Sequence, residues 1–178
     1  MQQVCGIFLC YGQAVDLIML FSLSANAPEQ AKPRKQTLKT VEHFFDYAVL
    51  QEDAIFAYHT SNMVLTVHSD ASYLSKPKAT IRAGGHFFMA AEAESPHNNG
   101  AAHIVAQTIN EVMASATEAE IGAMYINTRK AVLIREILIE MGHAQPPTLL
   151  QTDNSAAYSL VSKKVQPRRT KGMDMRFY

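Results

Sequence analysis

The chain has 178 residues, 48% of them hydrophobic, which suffices for one domain with a real core and a small appended segment. Lysine plus arginine and aspartate plus glutamate stand at 16 each, so global charge offers no argument for a nucleic-acid partner and any such argument has to be local. The two cysteines, Cys5 and Cys10, are too few for a disulfide framework and wrongly spaced for a zinc ribbon. Both are expected as reduced, buried small hydrophobes, which points to an intracellular protein, cytoplasmic or nuclear.

The first 27 residues contain the apolar run "IFLCYGQAVDLIMLFSL" followed by "ANAP", a pattern that superficially resembles a secretory leader. No lysine or arginine precedes Lys32, and Gln13 and Asp16 interrupt the run, so a leader is rejected and the chain is expected not to be secreted and to have no membrane partner. Val4, Ile7, Phe8, Val15, Ile18, Met19 and Leu23 recur at helical spacing. They predict two short helices around Gly12. "APEQAKPRKQT" is a linker, and a third helix is predicted from Thr37 to about Gln51, with Leu38, Val41, Phe44, Phe45, Ala48 and Val49 on one side.

From Ala54 the pattern changes to short extended runs. "AIFAYHT" is the first, "MVLTVHS" alternates as a strand, and "TIRAGGHFFMA" carries a Gly84-Gly85 pair suited to a bulge or bend between strand halves. After the loop "ESPHNNG" comes "AAHIVAQTI", so three strands are expected to form an antiparallel meander with tight polar turns. The period then becomes helical over residues 115–142, ending at a glycine. "PPTLLQTDNSAA" supplies a fourth strand and "SAAYSLVSKK" a short helix. The order βββαβα, with a long helix before the last strand, allows that strand to lie parallel to one of the first three.

Asp70 is expected to end strand one and Asp153 to end strand four, each followed by a small polar turn, "DAS" and "DNS". Taken singly, either is also a turn former or a helix cap. If the strands are parallel neighbours, both acids fall at the sheet edge where α/β sites are usually built. In the long helix, "SATE" fits a capping box with Ser115 as cap and Glu118 reaching back to the cap's amide. Glu120, about 200° further round the helix, has no such task and is the freer carboxylate. The tail "KVQPRRTKGMDMRFY" sets Lys164, Arg168, Arg169, Lys171 and Arg176 around Asp174, either as a solvated basic run or as phosphate contacts beside a fourth carboxylate.

Carboxylates gathered a few ångströms apart resist ionising together, so such a group normally exists to hold divalent cations. Oxygen ligands without thiolate or imidazole suit Mg²⁺. Two such ions about 3.5 to 4 Å apart clamp the attacking and leaving oxygens of a phosphodiester. His68, His86, His97 and His103 show no zinc-type grouping with one another or with cysteine.

The segments "VHSDASY", "SATEAEIGAMY", "LLQTDNSAA" and "RTKGMDMRFY" occur in the order and spacing of the ribonuclease H domain of copia-type retrotransposon polyproteins, which this chain resembles over residues 56–178. Residues 1–55, including "TLKTVEHFFDYA", look like the helical segment that connects reverse transcriptase to that domain. The resemblance implies an α/β fold, a ribonuclease H-like mixed sheet of three antiparallel strands and a parallel fourth with flanking helices. It implies cleavage of the RNA strand of an RNA/DNA hybrid with two Mg²⁺ ions, and Asp70, Glu120, Asp153 and Asp174 match the family's D-E-D-D ligands. In the family the helix ligand is the second glutamate of "EAE", in agreement with the capping argument.

The chain departs from the family at three points. It has no polymerase palm with paired aspartates, so it is not expected to copy DNA, and a polymerase portion of a polyprotein is its expected partner. No histidine lies between Asp153 and Asp174, and the chain ends four residues after Asp174, which reads as a C-terminal truncation. The expectation is therefore a Mg²⁺-dependent endoribonuclease fragment that is weakly active or inactive. The alternative is a non-catalytic nucleic-acid-binding or connection module from a decayed element; retention of all four acids favours the enzyme. A resolvase or integrase core is disfavoured by the meander followed by the "EAE" helix.

Overall fold

In the computed structural model the chain divides into two units, Met1–Tyr58 and His59–Tyr178. Residues 2–51, 55–76, 80–93 and 95–162 are described here, 75 and 76 by their backbone alone.

The first unit holds α1 (Gln2–Ala14), α2 (Met19–Asn26), a 3-10 turn (Ala27–Glu29) and α3 (Lys35–Leu50). The break between α1 and α2 falls at residues 15–18 and not at Gly12. Asp16, 2% exposed, accepts the Ile18 N–H on Oδ1 at 3.1 Å, an Asx-type link that lets the chain leave one helix and enter the next. Gly12 stays helical and buried, where a Cβ would come within 3.2 Å of Leu20 Cδ2, so its smallness serves helix contact instead. Met19, Leu23 and Phe44 form the core, with Phe8 edge-on to Phe44 at 5.0 Å between ring centroids. α3 begins two residues before the expected Thr37, whose hydroxyl accepts the Arg34 N–H at 3.0 Å and donates to Glu29 at 2.9 Å. Of the apolar face expected on α3, Val41 and Phe44 are buried, but Leu38 and Val49 are exposed. The buried stripe is the narrow i, i+4, i+7 row of Thr37, Val41 and Phe44. Cys5 is buried and Cys10 is exposed, against the expectation of two buried thiols; both are free.

The expected extended run "AIFAYHT" forms no strand over residues 55–60, and Ala54 lies outside the described residues. Ile55, Ala57 and Tyr58 are exposed and Phe56 is half-buried, so the run buries no alternating apolar face. The His59 N–H and C=O bond to the Asn99 side chain, at 2.8 and 2.9 Å, instead of to a strand.

The second unit is a four-stranded mixed sheet with flanking helices, an α/β fold. Its elements are β1 (Val64–Lys76), β2 (Thr80–Ala90), β3 (Ala101–Ile109), α4 (Ala116–Glu140), β4 (Leu149–Gln151) and α5 (Ser155–Val161). The sheet order is β3-β2-β1-β4, with β1–β2 and β2–β3 antiparallel and β1–β4 parallel. Leu65 and Val67 of β1 and Phe87 of β2 point to one face, where Ala119, Ala123, Ala131 and Leu138 of α4 close the core. Alternation along the strand makes that face, and burial of each such side chain contributes about 1.5–3 kcal/mol. Ala119 and Ala123 are fully buried, which lets α4 lie close to the sheet.

Two expectations about β1 and β2 are corrected. Asp70 does not end its strand: β1 runs on to Lys76, with Asp70 opposite Gly84, Ala71 opposite Ala83 and Ser72 opposite Arg82. Long pairing with β2 carries the chain past the small polar residues that suggested a turn. Gly84 and Gly85 make no bulge; they sit in regular register, and the irregularities fall between Ser72 and Lys76 and between Phe87 and Phe88.

α4 starts at the Ser115 cap and ends in a Schellman turn, with Gly142 at φ +92°, its N–H on Ile139 C=O and the His143 N–H on Leu138 C=O. The connection to β4 is held by side chains. The Arg135 guanidinium donates to the carbonyls of Pro146 and Gln145 and to Thr148 Oγ1. Gln145 takes the place of a strand residue beside β1, accepting the Leu65 N–H at 3.0 Å and donating to Met63 C=O at 2.7 Å. β4 itself pairs at Thr66–Leu149, Val67–Leu150 and His68–Gln151.

Candidate metal centre

Three of the four acids singled out from the sequence converge. Asp70 lies on β1, Glu120 in the second turn of α4 and Asp153 two residues past β4. One ligand oxygen from each comes within 4.8 Å of the others, close enough to hold a metal ion. Asp70 and Asp153 are exposed, whereas Glu120 is only 6% exposed. Asp174 and the basic tail around it lie outside the described residues.

The parallel pair β1–β4 sets the two aspartates level. Its last rung is His68–Gln151, and each aspartate stands two residues further along its own strand direction. Beyond that rung the Ala71 N–H has no β4 partner and donates to Glu120 Oε1 at 3.2 Å. Glu120 Oε2 lies 3.5 Å from the Thr152 hydroxyl, which donates to it. Glu120 therefore fills the gap where the two strands part.

Burial pushes the Glu120 carboxyl up to about 7, and the charges of Asp70 and Asp153 add to the rise; the bonds from Ala71 and Thr152 oppose it. A buried carboxylate beside two more carboxylates is costly to ionise. The donor set is all oxygen, with no histidine or cysteine in the cluster among the described residues, and fits a hard cation such as Mg²⁺.

The capping contacts fall on Ser115, Glu118 and Asn154. Ser115 Oγ accepts the Glu118 N–H at 3.1 Å, and Glu118 Oε2 accepts the Ala114 N–H at 2.7 Å, one residue before the cap amide it was expected to reach. Asp153 is not a cap: Asn154 is, its Oδ1 accepting the Ala157 N–H at 2.9 Å. Fully buried Ala157 packs on Ile121 and Met124 of α4, so α5 secures the segment after Asp153.

The sequence reading missed Thr152 and Asn127. Asn127 is fully buried, and its only signal was a polar residue on the Glu120 side of α4, two turns on, amid alanine and apolar neighbours. His68 stays apart from the carboxylates; its ring meets Phe88 edge-on at 5.1 Å and His86 at 5.9 Å. No family model, curated protein or solved structure matches the chain.

Proposed function

We propose that this protein is a Mg²⁺-dependent endonuclease of the ribonuclease H type that hydrolyses the RNA strand of RNA/DNA hybrids. The observation that carries the reading is the convergence of Asp70, Glu120 and Asp153 within 4.8 Å at the end of the β1–β4 ladder. The four motifs that resemble the copia-type domain support the choice of substrate. Asp70, Glu120 and Asp153 would hold Mg²⁺, with Asp174 as the expected fourth ligand. Mg²⁺ bound there supplies charge neutralisation for the oxygens of the scissile phosphodiester. Exposed Asp70 and Asp153 leave one side of the site open to a phosphate backbone, while Ala71 and Thr152 hold Glu120 in place from the other. A hybrid would be bound through its shape, phosphates and 2′-hydroxyls, with little reading of bases.

Among the described residues no helix is long and apolar enough to cross a membrane. The intracellular placement expected from the sequence belongs to this same reading. So does a polymerase portion as partner, for which the exposed Ile7, Ile18 and Phe21 of the first unit offer apolar surface.

The test is cleavage of a labelled RNA/DNA hybrid across a Mg²⁺ titration, with DNA/DNA and RNA/RNA duplexes as controls. Mg²⁺-dependent cutting of the RNA strand of the hybrid alone is expected. Hybrid binding without cleavage would instead identify a non-catalytic binding or connection module.

A further inference from the structure

The helix that carries Glu120 is tied to the strand that carries Asp70, and to its neighbour β2, by one side chain that is not itself in the acidic cluster. Asn127 stands seven residues after Glu120, two turns along the same side of α4. It is fully buried, and its Nδ2 donates to Ser69 Oγ at 2.9 Å and to Gly84 C=O at 2.8 Å. Ser69 immediately precedes Asp70, and Gly84 is the residue opposite Asp70 on β2. One N–H bond of the amide thus ends on the residue before Asp70 and the other on the residue opposite it.

The same amide is poorly served for stability. Its Oδ1 is buried with no hydrogen-bond partner among the described residues. A Cβ at position 85 would meet that oxygen at 2.3 Å, so the glycine of the regular β2 ladder is required by the asparagine and not by a bend. An apolar residue would remove that unpaired oxygen, but it would also take the donor away from Ser69 Oγ and Gly84 C=O. What the asparagine adds is direction: two bonds that set how far α4 is advanced along β1 and β2, and therefore where Glu120 meets Asp70.

We infer that Asn127 is a positioning residue for the carboxylate site, acting through Ser69 and Gly84 to hold Glu120 of α4 in reach of Asp70 of β1. This rests on the metal-centre reading above. Groups that hydrogen-bond metal ligands directly lower metal affinity about 10–100-fold when lost, and Asn127 acts one step further out, through the neighbours of Asp70.

The experiment uses the full chain and Mn²⁺ as the probe, with Asn127→Ala and, as the milder variant, Ser69→Ala, which deletes one of the two bonds. Mn²⁺ affinity is read by electron paramagnetic resonance, and kcat and KM are measured on the hybrid. Metal-free crystal structures give the Asp70–Glu120 separation. The expected result is Mn²⁺ affinity lowered about tenfold or more in Asn127→Ala and less in Ser69→Ala, a fall in kcat with KM unchanged, and a wider separation. Folded variants with wild-type Mn²⁺ affinity and an unchanged separation would overturn the inference. A wild-type chain that binds no Mn²⁺ would remove the metal-centre reading by itself, and the separation in the variants would still decide whether Asn127 positions the acids. Should Asn127→Ala not fold, Ser69→Ala decides in the same way.

Discussion

Asp70 and Asp153 stand level across a parallel strand pair whose hydrogen-bonded ladder is only three rungs long and ends two residues before either of them. Short as it is, this pairing brings together two acids that are 83 positions apart in the chain, as 153 less 70 shows. The Gln145 side chain extends the ladder backward beside Met63 and Leu65, so the register does not rest on β4 alone.

Replacing Asp70 by Asn should leave the fold intact and remove hybrid cleavage. The side chain is exposed, so the amide costs little stability, but the charge that holds a cation is lost. A thermal melt within a few degrees of wild type, with cleavage at background across a Mg²⁺ titration, is expected; equal rates for both proteins would reject Asp70 as a ligand.

Glu118 and Glu120, two residues apart, should separate cleanly. Glu118→Gln keeps an oxygen for the Ala114 N–H and should be nearly silent in both stability and activity. Glu120→Gln should abolish cleavage. The reverse pattern would move the ligand to Glu118.

Glu120 also predicts a pH dependence of stability in the metal-free protein. Its carboxyl is raised from 4.5 to about 7, so between those values the folded chain holds a proton that the unfolded chain has lost. Stability should therefore fall as pH rises from about 4.5 to about 7 and level off above, by about 1–3 kcal/mol. In EDTA, Glu120→Gln should melt higher than wild type at pH 8 and gain much less at pH 4. Added Mg²⁺ should restore much of the wild-type loss at pH 8, since a ligand of the folded state stabilises it. Parallel stability–pH curves for the two proteins would contradict the costly buried carboxylate.

Removing the Gln145 side chain should loosen the start of the β1–β4 pair. Gln145→Ala leaves the Leu65 N–H and the Met63 C=O without that partner, at a cost of about 1–3 kcal/mol for a buried group left unsatisfied. Hydrogen exchange at the Leu65 amide should quicken in step with a lower melting temperature. Unchanged exchange there would show that the three backbone rungs suffice.

Much of this architecture is legible in the residues themselves wherever a local rule operates. The order βββαβα, the bounds of β2 and β3, the Ser115 cap, the division of labour between Glu118 and Glu120 and the stop at Gly142 all follow from periodicity, capping and a glycine at positive φ. Such signals act over one or two turns or a few alternating residues, and a neighbour in sequence is enough to express them. Where a partner distant in sequence sets the outcome, the local rules misread it. β1 runs through Asp70 because β2 pairs with it as far as Ser72, Gly85 is small because Asn127 arrives from α4, and Gly12 is small because Leu20 packs against it. The separation of the acids is of this second kind. Residue types and the motif resemblance named Asp70, Glu120, Asp153 and Asp174 as candidate ligands, but only the parallel register and the seating of α4 bring oxygens of the first three within 4.8 Å, because that distance is a sum of contacts between elements and is written in none of them singly.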